Sequence, residues 1–185
     1  MEERELRRIQ KSLVRANENC CTDVACLMTV INYYGGKERV ENLMTWSMEE
    51  EERNIETLRK TAVRAGMIAR LDMMTVEDLM ERKLPIILYT KNDFGKFGYA
   101  VCFGLHEERF ILWEPDFGPM QYWPEELGAL WEWGICMVIY PGAEFIGREE
   151  GVLWWDESGW KEKCRRKLEA VQDYWELEIL PRLRK

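Results

Sequence analysis

The 185-residue chain has no surplus of basic residues, holding 26 Lys and Arg against 34 Asp and Glu for a formal charge of −8. Neutralising a phosphate backbone takes such a surplus on some face, so a nucleic-acid partner is not expected. No apolar run approaches the roughly 20 residues of a membrane span. The N-terminus, MEERELRRIQKS, is charged from its second residue and lacks the apolar stretch of a secretory signal. The chain therefore reads as soluble and cytoplasmic, without membrane insertion. Cys-x-x-Cys pairs, phosphate-binding glycine loops and paired acidic metal sites are also missing. Cys20 and Cys21 are adjacent and cannot readily grip one tetrahedral ion together, so no metal and no cofactor is expected. Histidine occurs once, at His106.

What remains is an ordinary globular composition, 46% hydrophobic. At this length roughly 70% of the unfolded chain's surface can be buried, enough for a core without a metal or disulfide staple. The six cysteines sit mostly in apolar runs of a chain without an export signal, and reduced thiols are expected. Cys26, Cys102 and Cys136 read as small core hydrophobes. Cys20 and Cys21 are the only thiols placed where a helix N-terminus could stabilise a thiolate.

Residues 1–15 carry Leu6, Ile9 and Leu13 at helical spacing between charges, the pattern of an N-terminal surface helix. Thr22 to Tyr34 is apolar nearly all round, a buried helix stopped by Gly35-Gly36. Lys37 to Trp46 repeats the helical period. Asn54 caps a helix from Ile55 to Ala65, ended by Gly66. Strands follow: Met67 to Met73, Ile86 to Tyr89 after a short Thr75-capped helix, then Tyr99 to Leu105 and Phe110 to Trp113 joined by a polar turn that includes His106. Pro115 to Pro119 reads as a rigid turn and Gln121 to Trp123 as a short strand. Pro124 opens a helix, and Gly134 to Tyr140 is the last strand. Helices first and an antiparallel sheet afterwards is the α+β pattern. Residues 16–141 form the main domain, and 142–185 a C-terminal helical extension. There Trp160, Leu168, Val171 and Trp175 share one amphipathic face, which either packs back on the domain or docks a second protein chain.

The segment Cys20-Cys21-Thr22-Asp23-Val24-Ala25-Cys26-Leu27, continuing to Tyr33-Tyr34-Gly35, resembles the N-terminal signature of the C39-like cysteine peptidases. Leu84-Pro85-Ile86-Ile87, Tyr99 to Leu105, Trp113-Glu114-Pro115 and Tyr122-Trp123-Pro124 through Gly134 resemble later pieces of that family in its order. The resemblance implies a papain-like α+β fold over residues 15–141. It also implies a nucleophile opening the buried helix. An ungapped count from Tyr33-Tyr34-Gly35 puts that position on Thr22, whereas a one-residue shift puts it on Cys21. The oxyanion-binding glutamine falls on Ala16, with Asn17 or Asn19 as substitutes nearby. The family's histidine falls on Gly98 and its aspartate on Glu114. His106 lies eight residues beyond Gly98, roughly 25 Å along an extended strand.

A thiol nucleophile needs a base within hydrogen-bond reach or another cause of a depressed pKa. The leading expectation is therefore a non-catalytic C39-like domain, a peptide or protein interaction module whose binding residues include Asn19, Trp113 and Asp116. One alternative is an active thiol hydrolase, peptidase or acyltransferase using Cys21, supported by Glu114 and least of all by His106. The other is an assembly or scaffold subunit, oligomeric through the C-terminal helix.

Overall fold

A computed structural model describes residues 3–50, 52, 54–82, 85–91 and 96–147. The expected C-terminal helix, with Trp160, Leu168, Val171 and Trp175, lies outside the described residues.

Four helices come first: α1 Glu3–Ser12, α2 Thr22–Tyr33, α3 Val40–Met48 and α4 Ile55–Arg64. Six strands follow, β1 Met67–Met73, β2 Ile86–Lys91, β3 Phe97–His106, β4 Arg109–Glu114, β5 Gly118–Tyr122 and β6 Ile135–Pro141, with α5 Val76–Glu81 and α6 Pro124–Leu130 between them. The strands form one sheet in the order β1-β6-β2-β3-β4-β5, every neighbouring pair antiparallel. The chain has the α+β architecture that its pattern implies.

Side-chain alternation along the strands divides the core in two. On one face Met67, Ala69, Ile87, Val101, Trp113, Met137 and Ile139 pack with α2 and with Ile9, Leu43 and Leu58 of the other N-terminal helices. On the opposite face Ile86, Leu88, Ala100, Cys102, Phe110, Leu112 and Cys136 pack with Leu79 of α5 and Leu127 of α6. The central helix α2 is sandwiched between its neighbours and the sheet, with Val24, Ala25, Cys26, Leu27, Val30 and Ile31 fully buried.

Local signals explain several boundaries. Asn54 Oδ1 accepts from the N–H groups of Glu56 and Thr57 at 3.0 and 3.1 Å, an N-cap that starts α4. Gly66 has φ 79°, and a Cβ there would lie 2.8 Å from the backbone of Glu144. Only glycine fits that link from α4 to β1.

Three boundaries depart from the periodicity. The third helix starts at Val40 rather than Lys37, because Gly36 bridges to Gly147 and the Lys37 N–H donates to the Ile146 carbonyl at 3.3 Å, which keeps the chain extended. The hairpin between β3 and β4 is tighter than a four-residue turn. Only Glu107 and Glu108 leave the ladder, with φ of 50° and 68°, while His106 pairs with Arg109 as the last residue of β3. Two positive φ values in a two-residue loop match the twist of the flanking strands. Finally, β5 begins at Gly118, inside the expected rigid turn; it is the outermost strand, where Pro119 can lack an N–H.

The loop preceding α2 is tied to the far strands. The Trp113 indole N–H donates to the Val14 carbonyl at 3.0 Å, and the Val14 N–H donates to Thr29 Oγ1 at 3.0 Å. Trp113→Phe keeps most of the packing but orphans the Val14 carbonyl. It should cost about 1–2 kcal/mol, checked by urea denaturation.

Candidate functional site

The loop of residues 17–20 closes through two backbone bonds, Asn17 N–H to the Cys20 carbonyl at 2.9 Å and Cys20 N–H to the Asn17 carbonyl at 3.1 Å. The Asn19 N–H is held by Asn17 Oδ1 at 2.8 Å, and the Asn19 side chain is exposed. Just upstream, the Ala16 N–H donates to the Pro115 carbonyl at 3.2 Å, which stitches the loop to the end of β4. Cys21 then occupies the N-cap of α2 in an extended conformation, without a side-chain cap bond. Its thiol is half-buried and lies 3.3 Å from Met44 Sδ of α3.

Thr22, the first helical residue, donates its hydroxyl to Asp116 Oδ2 at 2.8 Å across 94 positions of sequence. Asp116 sits in the turn after β4. Glu114, at the end of β4, accepts from the Tyr122 hydroxyl at 3.0 Å. The fold thus brings Cys20, Cys21, Thr22, Glu114, Asp116 and Trp113 to one end of the sheet, with Trp113 tying down the loop.

Burial and, after it, nearby carboxylates set the electrostatics of this end. Burial, then the charge of Asp23, raises the pKa of Cys20 above its ordinary 9.0. Burial pushes Cys26 far higher, with Asp23, Asp116, Glu114 and Cys20 each adding to the shift. Every influence on these two thiols favours the protonated form, the reverse of what a thiolate nucleophile needs.

Gly98, the second residue of β3, lies opposite Thr90, and a Cβ built on it meets nothing within 4 Å. The position is sterically free and holds no side chain. By alternation it shares a face with Ala100 and Cys102, as Glu114 does with Leu112. His106 is at the opposite end of β3, about 26 Å away by strand rise. It is half-buried in the ladder rather than solvent-facing in a turn.

Sequence reasoning missed an aromatic ledge at the same end of the sheet. Phe97 and Trp133 stack with ring centres 4.5 Å apart and planes 15° apart. Tyr89 stacks on both at 5.5 and 6.4 Å, with Tyr99 tilted against it at 5.3 Å. Phe97 and Trp133 remain 43% and 48% exposed, so the ledge faces solvent. Trp133 also borders a cleft of about 400 Å³ lined by Met73, Met74, Asp78, Trp131 and Glu132 among others. The alternation of Phe97 and Tyr99 was a legible signal; Trp133, from the loop before β6, carried none. Among the described residues no cluster of His, Cys, Asp and Glu could hold a metal ion, and no helix is long and apolar enough to cross a membrane.

Residues 10–144 match the model of the Peptidase C39 family. No curated protein gives a match. Among solved structures, the chain is similar to the peptidase domain of Streptococcus ComA, a bi-functional ABC transporter of a quorum-sensing pathway, at 20% identity and TM-score 0.61 over 71% of this chain and 98% of that one. It is similar to a double glycine motif protease from an AMS/PCAT transporter, crystallised with its leader peptide, at 20% identity and TM-score 0.59 over 69% and 89%. It also resembles the N-terminal peptidase C39-like domain of a toxin secretion ATP-binding protein from Vibrio parahaemolyticus, at 19% identity and TM-score 0.52 over 65% and 96%. These likenesses confirm the fold.

Burial raises Cys102 and Cys136 to about 12, and the unfolded chain releases those protons nearer pH 9. Their contribution to stability is complete below about pH 9 and lost as pH rises toward about 12. Urea midpoints should therefore fall through that window, and Cys102→Ala should flatten the fall. Iodoacetamide should leave Cys20 largely unmodified at neutral pH.

Proposed function

The chain belongs to the peptidase C39 family, and from that premise we propose that it is a non-catalytic member that binds a peptide at the α2 end of its sheet. The observation that carries the reading is the place of the only histidine. His106 ends β3 at the hairpin, while the Cys20-Cys21-Thr22 start of α2 lies at the other end, beside Asp116. An imidazole across the length of the sheet cannot take a proton from a thiol. Two further features support it: burial, reinforced by nearby carboxylates, favours the protonated form of Cys20 and Cys26, and the Tyr122 hydroxyl sits on Glu114, where an imidazole would need orienting.

The peptide part of the proposal rests on the solvent-facing ledge of Tyr89, Phe97 and Trp133. Stacked aromatics offer apolar area at low entropic cost, the usual make-up of a binding hot spot. The AMS/PCAT relative was crystallised with a leader peptide, and this makes double-glycine leader peptides the ligand class to try first.

A second reading keeps Cys21 as a nucleophile. It is favoured by the N-cap placement of a half-buried thiol, where the helix N-terminus favours negative charge. Glu114 or Asp116 would then be the nearby carboxylate.

One experiment separates the two. The chain is titrated calorimetrically with double-glycine leader peptides and the mixtures are analysed by mass spectrometry. Binding without cleavage is expected, unchanged by Cys21→Ser and weakened about tenfold or more by Trp133→Ala. Cleavage abolished by Cys21→Ser would establish the enzyme instead. Failure to bind any such peptide would remove the module reading.

A further inference from the structure

The two edges of the sheet are treated differently. At one, β5 carries Pro119 within the ladder, and an edge proline discourages pairing with another chain. At the other, β1 pairs only with β6 among the described residues. Its seven residues, MIARLDM, include no proline, glycine or lysine. Ile68 and Met73 on this strand are 45% and 74% exposed, so the strand is open to solvent.

We infer that β1 is the contact between two copies of this chain, joined antiparallel about a two-fold axis at Leu71 to continue the sheet. The charges select both the occupant and the register. Arg70 and Asp72 flank Leu71 on one face of the strand, with side chains 69% and 35% exposed and a long ion pair of 3.6 Å between them, and Asp72 Oδ1 also accepts from the Met73 N–H at 2.9 Å. In a two-fold antiparallel pairing centred on residue 71, residue 70 of each copy stands opposite residue 72 of the other. Arg70 of each copy then stands opposite Asp72 of the other, at the cross-strand spacing of about 5 Å where opposite charges attract, and the long pair within each strand is shared across the seam at both crossings. Centring on Arg70 would oppose two guanidinium groups, and centring on Asp72 two carboxylates, each unfavourable. The pairing at Leu71 also places Met73 of each copy over Ala69 of the other, covering apolar surface that water now meets. Pairing about a residue brings outward-facing N–H and C=O groups of both copies into register, as any two-fold antiparallel ladder does. The strand is thus complementary to itself.

The test is sedimentation equilibrium of the full chain over a wide concentration range. The expected mass rises with concentration from 22.1 kDa toward twice that value. Arg70→Asp, which opposes acids at both crossings, should weaken dimerisation about tenfold or more, and so should Asp72→Arg. The double swap Arg70→Asp with Asp72→Arg recreates both pairs and should restore the dissociation constant to within about threefold. Arg70→Ser, with its thermal midpoint measured alongside, separates a weakened contact from a damaged monomer. A chain that stays monomeric at every concentration overturns the inference. So does a dimer indifferent to both single swaps, since its contact must then lie elsewhere.

Discussion

Nine of the twelve residues of α2 are buried, among them Val24, Ala25, Leu27, Val30 and Ile31. A helix that is apolar nearly all round cannot lie on a surface and has to be enclosed, and each fully buried Leu, Ile or Val contributes about 1.5–3 kcal/mol to keeping it so. Here α1, α3 and α4 supply one wall and the sheet the other. Once α2 is fixed in that sandwich, its first turn must emerge at the end of the sheet where β3 starts and β4 finishes. The bonds from Thr22 to Asp116, Ala16 to Pro115 and Trp113 to Val14 lock it there. The candidate site is thus a by-product of helix burial: residues 94 positions apart meet because the core leaves the helix one way out.

The same placement sets the chemistry. A helix N-terminus holds partial positive charge and favours an anion within its first turn, by roughly 0.3–1 kcal/mol. In this chain the first turn is already furnished with carboxylates, Asp23 within it and Asp116 on the Thr22 hydroxyl. A thiolate at Cys20 or Cys26 would be a buried charge first and a further negative charge among carboxylates second, and both effects raise their pKa values. The helix end that in principle activates a thiol is here already compensated.

Much of the fold was readable because local signals and core periodicity agreed. The bounds of β1 match the strand expected after Gly66, and Asn54 and Thr75 start α4 and α5 through cap bonds that their sequence positions announce. Reading failed where tertiary pairing overrode the local signal. The edge position of β5 admits Pro119, and the tail at residues 146–147 holds Lys37 extended. At the site, the positions of Gly98, Glu114 and His106 followed from chain order along two paired strands. The partners of Thr22 and Glu114, and the ledge of Tyr89, Phe97 and Trp133, did not. They join segments from separate strands and loops, and no spacing within one segment encodes such a meeting.

Binding and turnover place different demands on such a site. An aromatic ledge holds a ligand in its ground state, and affinity of that kind does nothing for the rate of a chemical step. Turnover by a thiol needs a base aligned at about 3 Å, which the sole histidine cannot supply from the hairpin end of β3. Gly98 makes this separation concrete. Its open surroundings mean that the packing does not forbid a larger side chain there; none is present. On the non-catalytic reading proposed above, a ledge and an anchored loop with no imidazole beside them hold a peptide without consuming it, and occupancy is then governed by concentration and dissociation alone.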